Sequence, residues 1–129
     1  IGGCKILKQS DKDQACIVAA GVTVHEALKA YQILERQHIS VAVIDLYSVK
    51  PLDEQTLIQV GMQSNGYIIT VEDHYLQGGI GEAVTYALRN TSITIDCLAV
   101  TKLPRSGKPA ELLSYEGIDA AAIVKAVVE

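Results

Sequence analysis

With 129 residues, 49% of them hydrophobic and 20% charged, the chain is long enough for one domain with its own core and hardly long enough for two. Eleven Lys plus Arg against fifteen Asp plus Glu give a net charge of −4, and six Tyr are the only aromatic residues, a balance that excludes the basic, aromatic-studded surface of a dedicated nucleic-acid binder. No apolar run approaches the ~18 residues of a membrane span, and no cationic-then-apolar signal segment opens the chain.

In chain order, residues 4–9 and 15–20 flank the turn-rich Ser10-Asp11-Lys12-Asp13 and read as an antiparallel hairpin. After Gly21 a helix is expected from Thr23, since Thr23 and Glu26 have the spacing of a reciprocal capping box. Val24, Ala27, Leu28, Tyr31 and Leu34 then form its apolar face, and His25 and His38 read as solvated. Residues 40–46 form a nearly continuous apolar strand, the mark of burial on both faces. Asp53 caps the next helix, with Leu52 and Leu57 placed as a hydrophobic staple, and Asn65-Gly66 ends it. Residues 67–71 make another buried strand, followed by a polar loop over 72–77.

Gly78-Gly79-Ile80-Gly81 leads into a helix from Glu82 to about Arg89, and residues 93–100 form a further strand. Beyond Pro104-Arg105-Ser106-Gly107-Lys108-Pro109, a short helix carries Leu112 and Leu113. Asp119 caps the terminal helix, with Ile118 and Ile123 at staple positions. A hairpin followed by alternating strands and helices predicts a three-layer α/β/α domain spanning 1–129. Its sheet is mixed, mostly parallel, of about five strands, with the first strand antiparallel.

In such a sheet, ligands lie beyond the carboxyl ends of the strands. The richest stretch there is Glu72-Asp73-His74, then Gly78, Gly79, Gly81 and Glu82 at a helix start. Free amides and the helix dipole suit a phosphate or carboxylate, and a tight turn that simply needs glycines is the competing reading. The run lacks the Walker Gly-Lys-Ser/Thr, and Val84 stands where a dinucleotide fingerprint has its third glycine. His74 beside two carboxylates suits a hydrogen-bonding place at a surface or interface better than catalysis, because neighbours on an extended segment diverge. Arg105, Ser106 and Lys108 form a second candidate for an anion or subunit contact. Cys4, Cys16 and Cys97 show no paired spacing and sit among apolar neighbours, so buried, reduced thiols are expected and no metal site is indicated. No catalytic constellation emerges.

Five ordered motifs carry a family resemblance. They are Gly21-Val22-Thr23-Val24-His25-Glu26-Ala27-Leu28; Lys50-Pro51-Leu52-Asp53; Val71-Glu72-Asp73-His74-Tyr75; Gly78-Gly79-Ile80-Gly81-Glu82-Ala83-Val84; and Pro104-Arg105-Ser106-Gly107-Lys108-Pro109-Ala110-Glu111-Leu112-Leu113. Together they resemble the C-terminal domain of transketolase, in its animal-type form, with Leu76-Gln77 departing from the aromatic-plus-acid pair expected at that place. The resemblance implies a cytoplasmic enzyme of the pentose phosphate pathway that moves a two-carbon ketol unit from a ketose phosphate to an aldose phosphate. It also implies thiamine diphosphate with a divalent metal (Mg or Ca), held by the N-terminal and central domains across a homodimer interface. The C-terminal domain then binds no cofactor and contributes packing against those domains and the second subunit, with no role for nucleic acid or membrane. The start at Ile1 without an initiator Met fits a fragment of such a longer chain. Two alternatives stand beside this reading. One is an independent small α/β binding or receiver-like module with Asp45 and Lys102 as its switch; the other is the equivalent domain of a 2-oxo acid dehydrogenase beta subunit.

Overall fold

A computed structural model describes residues 3–75, 77–100 and 107–129. Among these the elements are β1 (Cys4–Lys8), β2 (Cys16–Ala19), α1 (Thr23–Arg36), β3 (Ala42–Leu46), α2 (Glu54–Gln63), β4 (Tyr67–Tyr75), α3 (Ile80–Ala87), β5 (Thr94–Val100), α4 (Pro109–Glu116) and α5 (Ala120–Val128). The strands form one sheet in the order β1-β3-β2-β4-β5. Strand β1 runs antiparallel to β3, and the other pairings are parallel. The three-layer α/β architecture and the antiparallel first strand are as the sequence predicts.

Period-two alternation explains the layers. Ile17, Ala19, Val41, Val43, Ile69 and Val71 face one way and pack with Ala27, Ala30 and Leu34 of α1 and Ile123 of α5. Cys16, Val18, Ala42, Ile44, Leu46 and Ile68 face the other way, onto Leu57 and Val60 of α2 and Ile80 and Val84 of α3. Strands apolar on both sides are what a helix-covered parallel sheet requires.

Five local expectations are corrected. The hairpin over 4–20 does not form. Strand β1 pairs with β3, Cys4 opposite Leu46 and Ile6 opposite Ile44, while β2 lies between β3 and β4. The 10–13 stretch is a turn, held by Ser10 N and Oγ donating to Asp13, but it sends the chain across the sheet. The doubly apolar β2 buries more surface in the sheet interior than it would at an edge, and so takes a central place.

The capping box at Thr23 is also absent. Thr23 Oγ1 lies 2.7 Å from Ala20 O and 2.8 Å from Val71 O, bridging the ends of two strands. Glu26, 8% exposed, turns to the opposite end of the chain, where its Oε1 accepts from Ala120 N at 3.1 Å and so satisfies the start of α5. Its other oxygen pairs with Lys29 Nζ at 3.1 Å. The caps that depend on one residue behave as expected: Asp53 accepts from Thr56 N and Asp119 from Ala122 N.

The polar loop over 72–77 is strand as far as Tyr75, because β4 finds β5 again at Tyr75 opposite Val100 after an irregularity past Val71. Helix α3 then begins at Ile80, two residues before the predicted start. Only Cys16 is a fully buried thiol, and burial pushes its pKa up. Cys4 and Cys97 are half-buried, with Cys4 Sγ donating to Asp53 at 3.8 Å and Cys97 Sγ 3.7 Å from Thr85 Oγ1.

Candidate functional site

The chain runs from β2 outward to β3, then crosses back over β2 to β4 and continues to β5. Connections leaving the carboxyl ends of β2 and β4 therefore head to opposite faces of the sheet, α1 to one and α3 to the other. Adjacent strands whose connections diverge leave a crevice between them, the usual ligand position in such sheets. Here the crevice is an open groove of about 420 Å³. Ala20, Gly21 and Val22 after β2 form one wall, with Val49 after β3 beside them, and Glu72, Asp73, His74, Gly78, Gly79 and Ile80 form the other.

Glu72 determines the chemistry of this groove. Along β4 it follows Ile68 and Thr70 at two-residue steps and so points toward α3. The residue is 3% exposed. Its Oε1 accepts from Ile80 N at 2.8 Å and its Oε2 from Gly81 N at 2.7 Å. These are first-turn amides of α3, which have no partner inside the helix, so the carboxylate meets both orphan donors and the positive end of the dipole. The seat is close: a methyl group at Gly79 would lie 1.8 Å from Glu72 Oε1. Glycine at 79 is thus required for the approach, whereas Gly78 is required for its φ of +81°.

The remaining predicted residues separate into four groups. Asp73 and His74 are exposed on the groove wall, with His74 Nδ1 2.6 Å from the Tyr75 carbonyl, an acceptor that makes Nδ1 the donor. Glu82 is exposed and its Oε1 accepts from Gly78 N at 3.2 Å, closing the turn from outside. It also borders a second surface groove of about 380 Å³, with Thr85, Tyr86, Arg89 and Cys97. Lys108 is exposed at the start of α4, where its backbone N donates to Glu111 Oε1 at 3.4 Å. Arg105 and Ser106, like Lys102 and Leu76, lie outside the described residues.

Sequence reasoning missed the opposite wall. Its Val22 is 46% exposed; outside the groove lining, Tyr75 at the end of β4 is 45% exposed and Tyr47 just beyond β3 is 61% exposed. Strand order alone brings 20–22 beside 72–74, and no local pattern announces it. Among the described residues no three His, Cys, Asp or Glu side chains converge to hold a metal ion, and no Lys or Arg lines the groove.

Comparison with known proteins fits this architecture. The family profile described as "Transketolase, C-terminal domain" matches residues 3–123. The chain is 52% identical over 128 residues to mouse transketolase-like protein 2 and 47% identical to human transketolase, covering 98% of itself and 20% of each. It therefore spans about a fifth of the length of these relatives. Among solved structures, one described as a split gene transketolase, inactive beta4 tetramer, superposes with a TM-score of 0.89 at 31% identity, over 98% of this chain and 41% of that one. Transketolase from Campylobacter jejuni, at 19% identity and a TM-score of 0.71 over 98% of this chain and 18% of its own, shares the fold. The switch-point sheet, the motifs along it and these matches converge, and the chain belongs to the transketolase C-terminal domain family.

Proposed function

We propose that this chain serves as the C-terminal domain of a whole transketolase, residues 1–129 being one domain of a longer protein. The parent transfers a two-carbon ketol unit from a ketose phosphate to an aldose phosphate in the cytoplasmic pentose phosphate pathway. The observation that carries the reading is the 47–52% identity to proteins named transketolase and transketolase-like, over nearly the full length of this chain. Thiamine diphosphate and its divalent metal supply the carbon chemistry in the parent and sit on the N-terminal and central domains. The groove here does not fit a diphosphate. Its helix amides are taken by Glu72, the described lining has no cation, and Asp73 adds a like charge.

The task of this domain is then assembly. Val22 exposes apolar surface on the groove where Asp73 and His74 offer polar contacts, and the exposed Tyr75 follows His74 directly, a mixture that suits an interface with a neighbouring domain or the second subunit of a homodimer. Gly78, Gly79 and Gly81 shape that edge, and Glu82, Arg105, Ser106 and Lys108 are its remaining candidates. Support comes from the solved relative described as a split gene transketolase, inactive beta4 tetramer, a chain of which this domain covers 41%.

Two measurements test this. Titrating the chain with thiamine diphosphate and magnesium in a calorimeter is expected to give no saturable heat, and micromolar binding would sink the idea. In the full-length enzyme, His74→Ala is expected to weaken dimer assembly or lower the melting temperature while sparing the single-turnover rate. If assembly is untouched and that rate falls about a hundredfold, roughly 2.7 kcal/mol in barrier, His74 acts on substrate and the packing role is wrong.

A further inference from the structure

We propose that the β5 side of the sheet is a self-complementary face on which a second copy of this chain docks about a two-fold axis, β5 beside β5 and α3 beside α3. Strand β5 ends the sheet, and among the described residues nothing pairs with its outer edge. The opposite edge, β1, is blunted by the exposed Lys5 and Lys8. Strand β5 lacks such guards. Over Thr94–Val100 it carries no Lys, Arg or Pro, and Ile95, Leu98 and Val100 are only half-buried. Its one charge, Asp96, is held by the Tyr67 hydroxyl, which donates to it. The assembly role proposed above concerns the switch-point groove, a different face, and this inference does not rest on it.

The second row of this face is the outer stripe of α3. Glu82, Thr85, Tyr86 and Arg89 recur at helical spacing, are all exposed, and line the groove of about 380 Å³ together with Cys97 of β5. The stripe is acidic at one end and basic at the other. Arg89 lies 3.9 Å from the centroid of the Tyr86 ring and donates to the Tyr86 carbonyl at 2.7 Å, and among the described residues no carboxylate pairs with it. An isologous axis between Thr85 and Tyr86 sets Glu82 against Arg89 of the second copy, twice, and lays each Tyr86 over the other copy's groove. The same axis suits the strands. Thr85 Oγ1 lies 3.7 Å from Cys97 Sγ, and Cys97 is the middle residue of β5, so Cys97 meets its own copy and Ile95 meets Ala99 across an antiparallel pair. The spacing closes as well. Helix α3 lies over β4 and β5. Two strand spacings then separate the two helices by roughly 9.6 Å, within the ~8–10 Å at which helices pack.

The experiment is sedimentation velocity over a concentration series, on the native chain, Glu82→Arg, Arg89→Glu and an equimolar mixture of those two variants, with folding checked by thermal melting. The native chain is expected to pass from monomer to dimer as concentration rises. Each single reversal should weaken the dimer roughly tenfold or more, since like charges then meet twice across the axis. The mixture should regain it, because opposite charges face each other again when one copy of each variant pairs. If a reversal unfolds the chain, Tyr86→Lys takes its place and should also leave a monomer. Copper phenanthroline should join native chains by a disulfide between the two Cys97 residues, each thiol giving up a proton and one electron to the copper oxidant. Cys97→Ser should abolish this product and Cys4→Ser should keep it. The proposal is overturned if the native chain stays monomeric at about 1 mM. It is equally overturned if the reversals leave the dimer untouched, if the mixture of two folded variants stays monomeric, or if Cys97→Ser cross-links like the native chain.

Discussion

Gly79→Ala is expected to destabilise the chain by roughly 3–5 kcal/mol, a sum of overpacking and the loss of a buried charge-assisted cap. The new methyl group would sit 1.8 Å from Glu72 Oε1 and 3.0 Å from the backbone oxygen of Tyr75. The carboxylate can retreat only by abandoning Ile80 N and Gly81 N, and the backbone of β4 cannot retreat without disturbing its pairing with β5. Domains of this size are held by about 5–15 kcal/mol in total, so the variant would sit near the limit of folding.

Two other glycines supply the scale. At Gly78 an added methyl meets nothing within 4 Å, and only its φ of +81° is unfavourable, about 1–2 kcal/mol. At Gly61, inside α2, the nearest atoms are the mobile ends of Ile68 and Ile93 at 2.9 and 3.0 Å, and the gain of about 1 kcal/mol in helix propensity offsets part of the crowding. Urea titrations should rank Gly79→Ala well above both. In a Glu72→Ala background, Gly79→Ala should cost much less, a coupling that a double-mutant cycle reads directly. A loss below about 1 kcal/mol in the native background would mean that Glu72 is not seated against residue 79.

Leu34→Ala is the second large effect, expected at about 2–5 kcal/mol. Leu34 is fully buried and belongs to the cluster that joins α1 to Ile17, Val43, Ile69 and Ile123. Cutting it to alanine leaves a cavity bounded by a sheet and a second helix, neither free to collapse without breaking register. Met62 on α2 is 51% exposed, and Met62→Ala should stay within about 1 kcal/mol. Equal slopes in urea for both variants would show that only stability has changed. A Leu34→Ala midpoint as mild as that of Met62→Ala would place α1 off the sheet and contradict the packing of this layer.

Much of the fold is legible in short windows. Ile17-Val18, Val43-Ile44 and Ile68-Ile69 put an apolar residue on each face, which only a strand covered on both sides by helices can bury. Asp53 and Asp119 cap their helices because the amide each needs lies three residues away, within reach whatever the rest of the chain does. The candidate segment at 72–82 could be chosen because glycines at a helix start and a cluster of polar side chains are also local facts.

Tertiary structure decided which partner each polar group and each strand takes. Thr23 and Glu26 have the spacing of a capping box, yet Glu26 meets Ala120, 94 residues away, because the buried Thr23 N already donates to Ala20 O while the start of α5 brings an amide that needs an acceptor. Strand β1 is adjacent to β2 in sequence and lies beside β3 instead, since edge and centre places are allotted by how much apolar surface each strand can hide. The same holds at the groove. Local sequence marks residues 78–81 as a candidate place for an anion, with a tight turn that simply needs glycines as the competing reading. Only the approach of β4 to the start of α3 decided that the anion is Glu72, nine residues before Gly81, because a buried amide takes the acceptor that the packed chain brings within 3 Å.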